Sequence, residues 1–144
     1  MKKIILMIIM VLLIITGCNV NENKIKKKES DEEVSNIKVI INNNEYILNL
    51  ENNETVKEFI KLLPEEFNMN ELNGNEKYVY MNTSLPVDSY NPKSILKGDV
   101  YLFGDNCLVI FYESFNTDYS YTKIGHIDNL KDLGNGIITV RFER

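Results

Sequence analysis

From Ile37 onward the sequence is cut into short apolar runs separated by asparagine- and glycine-rich breaks, with a single run of helical period among them. The dominant pattern has period two, which reads as strands. Ile37, Val39 and Ile41 alternate with Lys38 and Ile40, and Tyr46, Leu48 and Leu50 alternate with Glu45, Ile47 and Asn49. Between them Asn42-Asn43-Asn44 supplies residues that tolerate positive φ, so the pair reads as a hairpin. Thr55 with Glu58 three residues on has the form of a capping box, Val56, Phe59, Ile60 and Leu63 share one helical face, and Pro64 stops the run. A helix of about two turns is unstable alone, so it must pack on the mouth or end of a β structure.

The rest reads as strands and turns. Phe67, Met69 and Glu71 begin a short strand, Asn73-Gly74 turns it, and Tyr78 to Met81 returns. Asp99 to Phe103 and Cys107 to Tyr112 are joined across Gly104-Asp105-Asn106. Tyr121 to Ile127 is a further strand, with Gly125 marking a bulge or a close backbone approach. Asp128 to Leu133 reads as one helical turn, and Ile137 to Phe142 closes the chain. About eight short strands with one short helix are buried most economically by a small closed antiparallel β-barrel, which leaves no free edge.

The N-terminus sets a different constraint. Lys2 and Lys3 precede twelve apolar residues, Ile4 to Ile15, which end in Thr16-Gly17-Cys18. The run is short of the ~20 residues a membrane span needs and has the grammar of an export signal. It resembles a bacterial lipoprotein signal, which implies a signal peptide over residues 1–17 and a lipid, such as palmitate, on Cys18. The expected address is the extracytoplasmic face of the cell membrane, with the membrane reached through that lipid. Residues 19 to 36, including Lys26-Lys27-Lys28-Glu29-Ser30-Asp31-Glu32-Glu33, carry almost nothing apolar and read as a disordered tether following Cys18. Residues 37–144 form one domain. That part holds ten basic and sixteen acidic residues, so phosphates are repelled and nucleic acid is excluded as a partner. If Cys18 is lipidated, Cys107 is the remaining thiol, and its apolar strand makes it a small buried hydrophobe.

Four strings carry a resemblance: Leu72-Asn-Gly-Asn-Glu-Lys-Tyr78, Leu96-Lys-Gly-Asp-Val-Tyr-Leu-Phe-Gly-Asp105, Cys107-Leu-Val-Ile-Phe-Tyr-Glu-Ser114 and Tyr119-Ser-Tyr-Thr-Lys-Ile-Gly-His-Ile127. In this order they resemble the bacterial cyclophilin-like domains of poorly characterised function, over about Ile37 to Glu143. The resemblance implies a closed barrel related in fold to the cyclophilin peptidyl-prolyl isomerases. Those enzymes use an arginine in a Phe-His-Arg string. Here the only arginines are Arg141 and Arg144, the only histidine is His126, and that string is absent. Lys77 would bring charge without the planar guanidinium, so no catalytic residue is assigned.

Two groups are candidate binding residues. Glu76, Lys77 and Tyr78 place a carboxylate, an ammonium and a phenol after a turn, suited to a polar ligand or a peptide carbonyl, although an ion pair with an inward Tyr78 is the plainer reading. Tyr112, Tyr119 and Tyr121, from an aromatic set that also holds Phe111 and Phe115, would form a peptide or small-ligand groove at a barrel mouth, against the alternative that they fill the core. Alternation turns Phe111 and Tyr112 to opposite faces. His126 has no second histidine or cysteine beside it, and Glu113, Asp118 and Asp128 lack metal-ligand spacing, so neither a metal nor another cofactor is expected. The sequence therefore supports a membrane-anchored binding or accessory module for a peptide, a protein surface or a small molecule. The alternative is a divergent prolyl isomerase acting on exported proteins.

Overall fold

The computed structural model describes residues 33–144. The signal run, Cys18 and most of the polar stretch after it lie outside the described residues. The elements in chain order are β1 (Asn36–Ile41), β2 (Asn44–Leu50), α1 (Glu54–Leu62), β3 (Glu65–Leu72), β4 (Glu76–Tyr80), β5 (Ser94–Ile95), β6 (Asp99–Phe103), β7 (Cys107–Phe111), β8 (Phe115–Asn116), β9 (Thr122–Ile127) and β10 (Ile138–Glu143). Eight strands close a barrel in the order β1-β10-β3-β4-β7-β6-β9-β2, and β5 pairs with β8 as a separate ribbon. Every pairing is antiparallel, and short turns join β1 to β2, β3 to β4 and β6 to β7.

The β1–β2 hairpin turns on Asn42 and Asn43, with φ of 45° and 67°. Two consecutive left-handed residues make the turn whose twist matches that of its strands. The chain joins the fold upstream of Ile37: Val34 packs against the interior core, and the Ser35 carbonyl accepts from the Leu50 N–H at 2.9 Å.

Helix α1 starts two residues before the expected capping box. Its N-cap is Asn53, whose side chain accepts from the Val56 N–H at 2.9 Å. The Thr55 hydroxyl donates to the Pro86 carbonyl at 2.6 Å, a contact from a distant loop that competes with capping. Val56, Phe59 and Ile60 enter the interior core, where the Phe59 and Phe142 rings meet edge to face at 5.4 Å. The helical turn expected over Asp128 to Leu133 is absent. Asn129 takes a φ of 55°, which ends any right-handed turn there, and the chain continues as an irregular loop that buries Leu130.

Gly125 marks the place where β6 and β9 shift register, between Val100 and Tyr101. A Cβ at Gly125 would collide with the Asn49 carbonyl oxygen and lie 2.9 Å from Leu48 Cδ1, so only glycine lets β9 approach β2 this closely.

The barrel has two apolar clusters, one on each side of its wall. Inside, alternate residues such as Val39, Leu48, Val100, Leu108, Ile110 and Phe142 pack with the face of α1. Outside, Tyr101, Cys107, Val109, Phe111 and Tyr121 pack with Ile95 of the β5–β8 ribbon. Strand β7 is consequently buried at all five positions, which explains its unbroken apolar sequence.

Candidate functional site

The outer cluster is only partly covered, and the uncovered part is a cavity of about 350 Å³ on the outside of the wall. Strand β4 presents Glu76, Tyr78 and Tyr80 to it, because residues two apart share a face. Opposite Tyr78 and Tyr80 in the register stand Val109 and Cys107 of β7, which also line the cavity. Phe103 comes from the end of β6, Phe115 from β8, and Tyr119 and Tyr121 from the segment leading into β9. Leu72, Asn73 and Asn75 of the β3–β4 turn complete the lining.

The rings brace one another. Tyr121 lies 5.4 Å from Tyr101, 5.6 Å from Phe103 and 5.6 Å from Phe111, while Phe103 meets Tyr119 edge to face at 6.2 Å. At the rim, Tyr80 is 64 % exposed, Tyr119 66 % and Phe103 43 %. Rings left this open at the edge of an apolar cavity provide contact area for a ligand at little conformational cost.

Among the described residues, Glu76 carries the only formal charge in the lining. Burial, followed by the nearby Glu71 carboxylate, pushes its carboxyl above the usual carboxylate range. Asn75 Oδ1 is buried and accepts no hydrogen bond from the described residues. Burial, with a contribution from Glu76, also pushes the Cys107 thiol up, which makes it a poor nucleophile.

Of the residues singled out in the sequence, Glu76, Tyr78, Tyr119 and Tyr121 come together around this cavity. Lys77 and Tyr112 do not join them. Both are buried, with Tyr112 in the interior cluster, and the Lys77 Nζ stands 5.0 Å from the centroid of the Tyr112 ring. That ammonium donates to the carbonyls of Gly134 and Gly136 at 2.6 and 2.7 Å, fixing the loop between β9 and β10. Burial pushes the Lys77 ammonium pKa down. The Tyr112 hydroxyl donates to Glu71 at 3.2 Å. Lys77 is therefore held within the fold by two carbonyls and an aromatic ring. The cavity itself lies on the outer wall and not at the barrel mouth.

Tyr80, Phe103 and Asn75 were not singled out. The legible signals were the alternation Glu76, Tyr78, Tyr80 on one strand and the unbroken apolar run of β7, which calls for cover on both faces. His126 is held by Asp99, with Nδ1 2.9 Å from Oδ1, and the other Asp99 oxygen accepts from the Leu96 N–H at 2.9 Å. Among the described residues, no three His, Cys, Asp or Glu side chains are grouped to hold a metal ion.

These features define a closed eight-stranded β-barrel domain with an aromatic groove on its outer wall. The cyclophilin-like family model matches residues 39–143, and the chain belongs to that family. No curated protein and no solved structure gives a significant match.

Proposed function

We propose that the domain is a binding module that takes a peptide segment or a small ligand in the outer-wall groove. The observation that carries this reading is the set of open rings, Tyr80, Phe103 and Tyr119, around an apolar cavity of about 350 Å³. The volume matches a small-molecule site or one or two peptide side chains. A fold alone does not assign chemistry. Nothing in the lining supplies the cation that a cyclophilin-type isomerase places at the proline amide, and Lys77 is turned to the other side of the wall. The binding reading is therefore preferred over the isomerase. The lipobox-like Thr16-Gly17-Cys18 supports placing the module at the extracytoplasmic membrane face. Metabolic labelling with a palmitate analogue, lost in Cys18→Ser, tests that placement.

Ligand-observed NMR with a set of aromatic fragments and capped peptides tests the groove. Binders should lose affinity at least several-fold in Tyr119→Ala and in Phe103→Ala. Tyr119→Ala should keep the unfolding temperature within a few degrees, since that ring is 66 % exposed, and Phe103→Ala, whose ring is more than half buried, should still unfold cooperatively. Binders unaffected by both changes would place the site elsewhere.

A further inference from the structure

The groove has an unbalanced chemistry. An ionised carboxylate only accepts hydrogen bonds, and aromatic faces present negative charge density. Glu76 and the rings of Tyr78, Tyr80, Phe103, Tyr119 and Tyr121 thus all favour the same complement. Among the described residues, no lysine, arginine or histidine lines the cavity, and the Glu76 carboxylate makes no hydrogen bond or ion pair, although the residue is partly buried. Lys77, its sequence neighbour, is committed to Gly134 and Gly136 on the far side of the wall and cannot neutralise it.

We propose that the groove takes an organic cation, an ammonium or guanidinium group on an apolar stem. Glu76 serves as its counter-ion and the rings as cation–π faces. This specifies the ligand chemistry of the binding module proposed above and rests on that reading. Three observations converge on it. Among the described residues the carboxylate is the one formal charge in a mainly aromatic and apolar lining, and opposite charge is worth most where water is reduced. Aromatic rings around a carboxylate are the arrangement that recognises ammonium groups. The acidic excess of residues 37–144 attracts cations over a longer range. The cation has two possible sources, the lysine or arginine side chain of a peptide and a free amine.

Calorimetric titration of the full chain separates these possibilities. Phenethylammonium is compared with its neutral counterpart 2-phenylethanol, and capped lysine with capped norleucine. The cations should bind about tenfold tighter than their neutral partners. Glu76→Gln, which keeps shape and removes charge, should bring each pair within about twofold. Added salt should weaken the cations selectively in the native chain. Capped lysine binding tighter than phenethylammonium indicates a peptide side chain; the reverse indicates a free amine. Equal affinity within each pair, or a preference unchanged in Glu76→Gln, overturns the proposal. If neutral probes bind and lose affinity in Tyr119→Ala, the groove stands and only its cation preference fails. If no probe binds, both readings fail.

Discussion

Glu76 and Lys77 are consecutive in the sequence and lie on opposite sides of the barrel wall, the carboxylate at the outer groove and the ammonium buried against Tyr112 inside. The alternation of a single strand thus separates two opposite charges that adjacency suggests would act together. One is left for a ligand, and the other holds the loop that leads into β10.

Lys77→Met should destabilise the fold by about 2–3 kcal/mol, because the Gly134 and Gly136 carbonyls each lose a charged donor while methionine fills only the volume. Urea unfolding followed by circular dichroism measures the loss. Groove binding should survive, since Lys77 does not line the cavity.

Glu76 sets a pH dependence. Its carboxyl is raised in the fold by burial and by Glu71, with Cys107 and Tyr121 also close enough to feel its charge. The folded state therefore holds the proton more tightly than the unfolded chain. Stability from this group is greatest at low pH and declines as pH rises from the ordinary glutamate value of 4.5 through the raised value. Thermal unfolding of the native chain and of Glu76→Gln across that interval should show the native chain losing ground steadily to the variant. A constant difference between the two would contradict the assigned environment.

Prolyl isomerisation offers a direct comparison with the alternative reading. A protease-coupled assay should show no acceleration over the slow uncatalysed reaction, because the groove offers no cation to the proline amide. Acceleration that is lost in Tyr119→Ala would make the groove catalytic.

The barrel was legible because its cues are local. Ile37, Val39 and Ile41 report one inward face, and Asn42-Asn43 reports the turn beside them. The four family strings, between Leu72 and Ile127, all lie within residues 39–143, which the family model matches. Features set by distant partners were not legible. Thr55 resembles a cap until Pro86 claims its hydroxyl, leaving that role to Asn53. The residues from Asp128 to Leu133 resemble a helical turn, yet they form an irregular loop whose Leu130 is buried in the core. The candidate site was half legible for the same reason. Tyr112 and Tyr121 are equally aromatic in sequence, but the folded wall sends Tyr112 to the interior cluster and Tyr121 to the outer one.

In the proposed binding mode, ligands enter the outer-wall groove and leave the barrel interior undisturbed. Backbone amide shift mapping by ¹⁵N–¹H NMR, with a fragment that binds the full chain, tests this. The largest shifts should fall on residues 73–80, 103–109 and 115–121, with the 128–137 loop unmoved. Shifts centred on that loop and on the interior positions around Lys77 and Tyr112 would contradict it.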